Sequence, residues 1–171
     1  MKAKAWAYIH AYIEPPFASL VTIGRLKRVR QGRGLQASRR RLEDEAGTPL
    51  RMERFRPNIV VDGEQLAPFE EDQWSEVAMT GPQGSASLKL VKPCSRCPVP
   101  NIDPATGVAS PEATAALQAL RTGDSMDAKA HEMHPKGGWQ KKTYFGWNSV
   151  LGEPGAGYVQ VKDLLEVVAE R

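Results

Sequence analysis

The sequence contains only two cysteines, which excludes a protein held together by several disulfides. No apolar run is long enough to cross a membrane, because the most apolar early stretch, residues 5–24, is interrupted by His10, Glu14 and the pair Pro15 and Pro16. Glu14 and the proline pair also interrupt the apolar region that a signal peptide requires. With 41% hydrophobic residues, the chain nevertheless has enough apolar material to fold around a core.

Acidic side chains are missing from one segment. Residues 25–41 carry eight basic side chains and no acid. Because the net charge of the whole chain is +3, the net charge of the other residues is −5. No aromatic residue is interleaved in this run, which argues against an RNA-binding arm and favours a solvated face. We therefore interpret residues 1–40 as an atypical basic segment, disordered or non-native, ahead of a folded domain at 41–171.

Local patterns predict a mainly β domain. β-branched or alternating apolar residues bounded by turn residues predict strands at 58–61, 74–80, 87–92 and 157–168. The second and third of these strands face each other across a turn at 81–84, where two glycines flank Pro82 and Gln83.

Helices are predicted to be few and short. One spans about 34–46 and stops at Gly47, and the other starts at an N-cap, Ser110, and stops at Gly123. Residues 122–143 are polar and rich in glycine and lysine, which predicts a long surface loop.

The cysteine pair, Cys94 and Cys97, directly follows a predicted strand. A thioredoxin-like redox pair requires a helix at this point, but Pro98 follows at once. A tetrahedral zinc site could combine both thiols with His131 and His134, although the intervening loop is longer than in zinc fingers. Two buried thiols that pack as small hydrophobic groups are a further alternative.

Five separated motifs give the wider context of this pair. In chain order they occupy residues 54–61 (RFRPNIVV), 68–74 (PFEEDQW), 92–98 (KPCSRCP), 101–107 (NIDPATG) and 145–148 (FGWN). This ordered set resembles the molybdenum cofactor sulfurase C-terminal domain, called MOSC, over about residues 51–168. It resembles in particular the branch that includes the mitochondrial amidoxime-reducing component and its bacterial relatives.

The resemblance implies a MOSC-type β-barrel with short flanking helices that binds a molybdenum–molybdopterin cofactor. It implies that Cys97 is the molybdenum ligand and the catalytic residue, in keeping with the softness of a thiolate ligand. The residues that it implies for holding the cofactor are Arg56, Asn58, Ser95, Arg96 and Asn148. A guanidinium offers a planar fork for a phosphate, and amide and hydroxyl groups offer directed hydrogen bonds.

The resemblance further implies a molybdenum-dependent oxidoreductase that reduces small N-hydroxylated substrates. Electrons would come from a separate flavin or iron–sulfur protein, because the chain has no cluster-type cysteine set and no dinucleotide fingerprint. We expect a cytoplasmic protein without membrane or nucleic-acid partners. The alternatives are a non-catalytic carrier of the cofactor, a sulfur-transfer module and a structural zinc domain. Pyridoxal phosphate binding is a less favoured interpretation.

The chain departs from its relatives at two places. Residues 1–40 do not resemble the β-barrel domain that precedes the match in that branch, so we expect a truncated or non-native N-terminus. Lys162 stands where the closing motif normally has glycine before Asp163. Purely structural roles also remain open for several residues: Arg56 as an ion-pair partner of Glu70 or Glu71, Asn58 at a strand start, Asp103 in an Asx-turn, and Trp74 in the core.

Overall fold

The computed structural model of the protein describes residues 4–9, 21–23, 35–63, 66–82, 84–126, 138–152 and 162–171. In these ranges the strands are β1 (Lys4–Ile9), β2 (Val21–Ile23), β3 (Ile59–Asp62), β4 (Trp74–Gly81), β5 (Gly84–Ser95), β6 (Tyr144–Leu151) and β7 (Asp163–Glu170). The α-helices are α1 (Leu35–Ala46) and α2 (Glu112–Leu120), and the 3-10 helices are η1 (Met52–Phe55), η2 (Glu70–Gln73) and η3 (Val99–Asn101).

The described strands close into a barrel. Their order is β1-β3-β2-β6-β5-β4-β7, and β7 pairs back with β1. Every one of these pairs is antiparallel except β2 with β3. Closure joins the two ends of this sheet, and in the described ranges β2 pairs with β3 through Ile23 and Ile59 alone. The prediction of a β-rich barrel with short helices is thereby confirmed.

Two barrel strands come from the N-terminal segment that showed no strand pattern in the sequence. β1 lies between β3 and β7, with Ala7 opposite both Val61 and Asp163. β2 lies between β3 and β6. The domain boundary at residue 40 stays a prediction, although α1 begins at Leu35, before that boundary.

The barrel interior forms the larger hydrophobic cluster. Its buried members are Ile59, Val61, Leu66, Trp74, Val77, Met79, Leu88, Leu90, Trp147 and Leu165. The core position predicted for Trp74 is confirmed, since only 1% of this residue is exposed. A second cluster lies where α1, α2 and η1 pack together, and it includes Leu42, Phe55, Leu117 and Phe145.

Helix α1 confirms the first predicted helix and accounts for the end of the basic run. Arg39 pairs with Glu43, and Arg41 pairs with Glu45, each one helical turn further along. Glu43 also accepts a hydrogen bond from the backbone of Leu50, which fixes the chain just after the helix. Two of the last three arginines of the basic segment therefore form ion pairs with acids of their own helix.

The start of α2 differs from the prediction. Ser110 is not the N-cap, because the helix begins at Glu112 and Pro111 holds the cap position without a side-chain hydrogen bond. The Ser110 side chain bonds to the Glu112 carboxylate instead. Asn101 of η3 supplies the missing cap, since its Oδ1 accepts the backbone N–H of Thr114 at 3.0 Å. The helix also ends at Leu120, before Gly123.

The α-helices have 12 and 9 residues. Within the described ranges, none of them is long and apolar enough to cross a bilayer.

Candidate functional site

The candidate site is built where β5 ends and the two cysteines begin. The β5–β6 ladder pairs Pro93 with Trp147 and Ser95 with Tyr144, so β6 has one residue more than β5 between these pairs. This irregularity is a β-bulge, and it includes Gly146 at a φ of 72°. A glycine in this left-handed region is typical of such bulges, because it lacks a Cβ that would be strained there.

The bulge sends two side chains of β6 to different sides of the sheet. Phe145 and Trp147 lie two residues apart and would share one face of a regular strand. Instead, Phe145 packs in the helical cluster, with its ring 4.3 Å from that of Phe55, while Trp147 fills the barrel interior. The bulge thus brings the backbone of Phe145 beside the residues that follow β5.

Arg96 joins the cysteine segment to two other parts of the chain. Its Nε donates to the carbonyl oxygen of Phe145 at 2.9 Å, and its Nη2 donates to the same oxygen. Its Nη1 donates to the carbonyl oxygen of Phe55 at 2.8 Å, and its backbone N–H donates to Thr143. All three guanidinium nitrogens are therefore engaged within the protein, so only part of the donor capacity of Arg96 remains for a ligand.

Arg54 of η1 contacts the chain that follows the cysteine segment. Its Nη1 donates to the carbonyl oxygens of Pro100 and Asn101, at 3.3 Å and 3.2 Å. Its Nη2 pairs with Oδ2 of Asp103 at 3.2 Å. The Arg54 side chain is 9% exposed, so this ion pair is shielded from water at its arginine end. Arg54 thereby ties η1 to the chain that follows Cys97.

The segment after η1 presents Arg56 and Asn58. Arg56 ends η1 in the left-handed conformation, at φ 47° and ψ 51°, and its backbone N–H donates to Glu53. Its side chain is exposed and has no ion pair with any described residue, which excludes the pairing with Glu70 or Glu71. Asn58 is also exposed and directly precedes β3.

The two cysteines have different surroundings. Cys94 is half-buried within the last residues of β5, whereas Cys97 is exposed in the loop that leads to η3. Exposure of Cys97 contradicts the alternative that both thiols are buried packing groups. The positive charge of Arg96 interacts with both thiol groups, while burial lowers the pKa of the Arg96 guanidinium.

Ser95 and Asn148 occupy opposite environments. Ser95 is exposed at the end of β5, next to Arg96. Asn148 is 6% exposed in β6, where it lies opposite Lys92 of β5 and Thr22 of β2. The structure therefore brings Arg56, Asn58, Ser95 and Cys97 to the surface, and we call these four the rim residues. Asn148 lies inside the sheet.

Asp72 and Arg121 form a largely buried polar cluster that contacts β6 through Trp147. Asp72 of η2 forms a two-bond ion pair with Arg121, at 2.7 Å and 3.0 Å, and accepts a hydrogen bond from Nε1 of Trp147 at 2.8 Å. The Arg121 guanidinium also lies over the ring of Phe69, 4.2 Å from its centre. These contacts fix η2, the end of α2 and the strand that carries the bulge.

Glu71 lies beside this cluster in a fully buried position. Loss of hydration on burial raises the pKa of Glu71 to about 8, and the neighbouring Asp72 carboxylate adds to the shift. Arg121 and a hydrogen bond from Ser38 act in the opposite direction, without cancelling it. The Oε2 atom of Glu71 has no hydrogen-bond partner among the described residues, which costs less for a neutral carboxyl group than for a carboxylate.

The hairpin after η3 confirms the Asx-turn predicted at Asp103. Its Oδ1 accepts the backbone N–H groups of Ala105 and Thr106, at 2.8 Å and 3.3 Å. The hydrogen bond from Ala105, joined by that from Thr106 and by the Arg54 charge, holds the pKa of Asp103 below its usual value. Asp103 is thus a structural residue of this hairpin.

Sequence reasoning missed Arg54 and the carbonyl groups of Phe55 and Phe145. The carbonyl groups leave no sequence signal, because any residue supplies one. The glycine within the motif at 145–148 was a usable signal, since an isolated glycine in a strand often marks a bulge. Arg54 could have been noticed as a second arginine two residues before Arg56.

The rim residues fit the molybdenum–molybdopterin cofactor that the resemblance implies. Cys97 offers an exposed thiol, and a thiolate suits a metal that already has sulfur ligands. Arg56 offers an exposed guanidinium without an internal partner among the described residues, which suits a phosphate. The zinc alternative needs His131 and His134, which lie outside the described residues, and within the described ranges no three potential ligand residues cluster around one point.

The barrel, its flanking helices and the cysteine loop together define a strand-rich domain with one exposed thiol at its rim. The model of the MOSC domain family matches residues 34–166. The chain therefore belongs to the MOSC domain family.

Individual relatives agree with this family. Mitochondrial amidoxime reducing component 2 from Macaca fascicularis is 37% identical over 87 residues, which are 50% of this chain and 24% of the relative. Human mitochondrial amidoxime-reducing component 1 is 36% identical over 102 residues, or 59% of this chain and 26% of the relative. Human molybdenum cofactor sulfurase is 39% identical over 54 residues, 32% of this chain and 5% of the relative. The chain thus spans about a quarter of the amidoxime-reducing relatives.

Proposed function

We propose that this MOSC domain binds a molybdenum–molybdopterin cofactor, with Cys97 as the metal ligand. The observation that carries the proposal is the exposed Cys97 thiol, one residue after an arginine whose guanidinium is bonded to the backbone of η1. The chain directly after that backbone group presents Arg56 and Asn58 at the surface. A soft ligand and an anion-binding side chain are thereby kept in one fixed region.

Each rim residue would make a different contact with the cofactor. The Arg56 guanidinium would hold the phosphate of the cofactor as a bidentate fork. Asn58 and Ser95 would add directed hydrogen bonds from the same surface. Arg96 would contribute its remaining N–H bonds, while its bonds to Phe55 and Phe145 keep the cysteine loop in place. Asn148 would act from within β6.

We further propose that the domain serves a reductase of small N-hydroxylated compounds, as the names of the amidoxime-reducing relatives suggest. The bound molybdenum would supply the two-electron redox chemistry. The protein residues would bind and orient the cofactor at the exposed Cys97 loop. A separate flavin or iron–sulfur protein would deliver the electrons, and the location would be the cytoplasm.

Metal and pterin analysis of the purified full-length chain tests the cofactor proposal. Cells are supplied with both molybdate and zinc, and the metal content is measured after gel filtration. We expect molybdenum together with pterin, close to one molybdenum per chain. Zinc alone would contradict the proposal and favour a structural zinc domain. Neither metal, in a protein that unfolds cooperatively, would also contradict it.

A carrier or sulfur-transfer module is the second candidate, and the similarity to human molybdenum cofactor sulfurase favours it. Both candidates predict bound molybdenum, so activity must separate them. The loaded protein is assayed with benzamidoxime and a chemical electron donor. Reduction to benzamidine supports the reductase. Loaded protein that is inactive, yet transfers its molybdenum and pterin to a cofactor-free molybdoenzyme, supports the carrier.

A further inference from the structure

The chain on either side of Cys97 is attached to the same short helix. On the N-terminal side, Arg96 donates to the carbonyl oxygen of Phe55, the last residue of η1. On the C-terminal side, Arg54 of η1 donates to Pro100 and Asn101. The exposed thiol therefore lies in a short span with a fixed point at each end.

The C-terminal attachment has the features of a rigid link. Arg54 reaches two consecutive carbonyl oxygens and the carboxylate of Asp103, so one planar group fixes three points of the chain. These points lie in η3 and the hairpin after it, where the backbone N–H of Asn101 also donates to Pro98. Asp103 is itself held by its hydrogen bonds from Ala105 and Thr106.

We propose that Arg54 is a positioning residue for the metal ligand Cys97: through η3 it keeps the thiol at a fixed place relative to the rim residues Arg56 and Asn58. This inference rests on the proposed function. Arg54 does not belong to the rim, since its side chain is largely buried and its donors point to the protein backbone and to Asp103. It acts on a bound cofactor through the loop alone, as groups that orient metal ligands do.

Four full-length variants test the proposal. Arg54→Ala removes the whole link, and Arg54→Lys keeps the charge but loses the planar fork. Asp103→Asn weakens the ion pair while keeping an oxygen for the Ala105 N–H. The matched control is Arg51→Ala, because Arg51 is an exposed arginine three residues earlier whose charge also acts on Asp103 but whose side chain has no hydrogen bond to a described residue. It therefore controls for the loss of a positive charge near Asp103 without loss of the hydrogen-bonded link.

The first measurement needs no metal. Hydrogen exchange of the metal-free protein is followed in peptides that cover residues 97–103 and, as an internal reference, in the β4–β5 hairpin. For Arg54→Ala we expect at least tenfold faster exchange of the amides at 101–103, with wild-type exchange in the hairpin. Wild-type exchange at 101–103 in a folded Arg54→Ala protein would overturn the proposal.

The second measurement follows the metal. The rate of molybdenum loss from loaded protein should rise about 10- to 100-fold in Arg54→Ala, the range typical of groups that orient metal ligands. Arg54→Lys should restore part of the retention, and Arg51→Ala should match the wild type. We also expect the thiolate-to-molybdenum absorption band to shift in Arg54→Ala, since the ligand is held differently. A purely structural role would leave that band unchanged, and an unchanged band with unchanged retention would overturn the proposal.

Two outcomes separate this inference from the proposed function. If Arg54→Ala does not fold, Asp103→Asn takes its place: wild-type exchange and wild-type retention in that variant would make Arg54 a purely structural residue. If the wild type never holds molybdenum while Arg54→Ala still loosens residues 101–103, the proposed function is contradicted. The attachment of the loop by Arg54 is then supported.

Discussion

The guanidinium of Arg96 donates two hydrogen bonds, from Nε and Nη2, to one acceptor, the carbonyl oxygen of Phe145. This oxygen is available because the bulge at Gly146 turns the backbone of β6 toward the cysteine loop. The arrangement gives Arg96 a role in holding the site together, whereas Arg56 has no such internal bonds among the described residues. The two arginines should therefore respond differently to the same substitution.

For Arg96→Lys we expect a loss of stability of about 1.5–3 kcal/mol, because an ammonium group cannot reach both carbonyl oxygens that the fork serves. In a chain of this size, this corresponds to a melting temperature lower by roughly 3–12 °C. Arg56→Lys is the matched variant and should melt like the wild type while it retains less molybdenum. Equal melting temperatures for all three proteins would show that the bonds of Arg96 contribute nothing.

Glu71→Gln should change the dependence of stability on pH. The pKa of Glu71 is raised from 4.5 to about 8 in the folded protein, so the folded state holds the proton more tightly than the unfolded state. The wild type should therefore lose stability as the pH rises from about 4.5 to about 8, by at most roughly 5 kcal/mol. The cause is that Glu71 must either stay protonated or be charged in a buried site beside Asp72.

The glutamine side chain has no proton to lose, so the variant should show a flatter pH profile and be at least as stable as the wild type at pH 8. Urea unfolding at pH 5, 6.5 and 8 checks this expectation. Parallel profiles for the two proteins would mean that Glu71 titrates normally in the folded state.

Lys162→Gly should stabilise the protein. Lys162 has a φ of 83°, in the region that favours glycine. Relief of this strain should contribute about 1 kcal/mol, or roughly 2–4 °C in melting temperature. Lys162→Ala is the control, since alanine keeps the Cβ and should give no gain. Equal melting temperatures for the glycine and alanine variants would contradict this explanation.

Much of the barrel could be predicted from the sequence. The β4–β5 hairpin has alternating apolar residues on both sides of a glycine-rich turn, and α1 ends at Ala46, directly before Gly47, as expected. β6 was not predicted as a strand, because Tyr144–Ser149 is buried on both faces and therefore has no alternation of apolar and polar residues. The predicted start of α2 was wrong because the capping side chain belongs to Asn101, outside the helix.

Less of the candidate site could be predicted from the sequence. The exposed Cys97 and Arg56 belong to motifs that could be recognised in the sequence. The roles of Arg54 and Arg96 depend on the contact between η1 and the cysteine loop, more than 40 residues apart in the chain, as the 41-residue separation of Arg96 and Phe55 shows. No local pattern encodes such a contact, since the acceptors are backbone carbonyl groups.

Deletion of residues 1–33 should disrupt the fold. β1 and β2 come from this segment, and their loss would leave β3 without a barrel neighbour and would unpair one edge of β6 and one edge of β7. We expect aggregation or a melting temperature lower by more than about 10 °C, well beyond the effect of 1–2 kcal/mol in a domain of this size. Ala7→Pro tests the same point within the intact chain, because proline cannot donate a hydrogen bond to the ladder. A deletion variant that melts like the wild type would show that the segment is an appendage.

The molybdenum content of two cysteine variants tests the central claim most directly. Cys97→Ala and Cys94→Ala are purified like the wild type after growth with molybdate, and molybdenum and zinc are measured per chain. The account predicts that Cys97→Ala loses its molybdenum, whereas Cys94→Ala, which lacks only a half-buried thiol at the end of β5, retains most of it. Equal loss of zinc in both variants, with no molybdenum in the wild type, would contradict it.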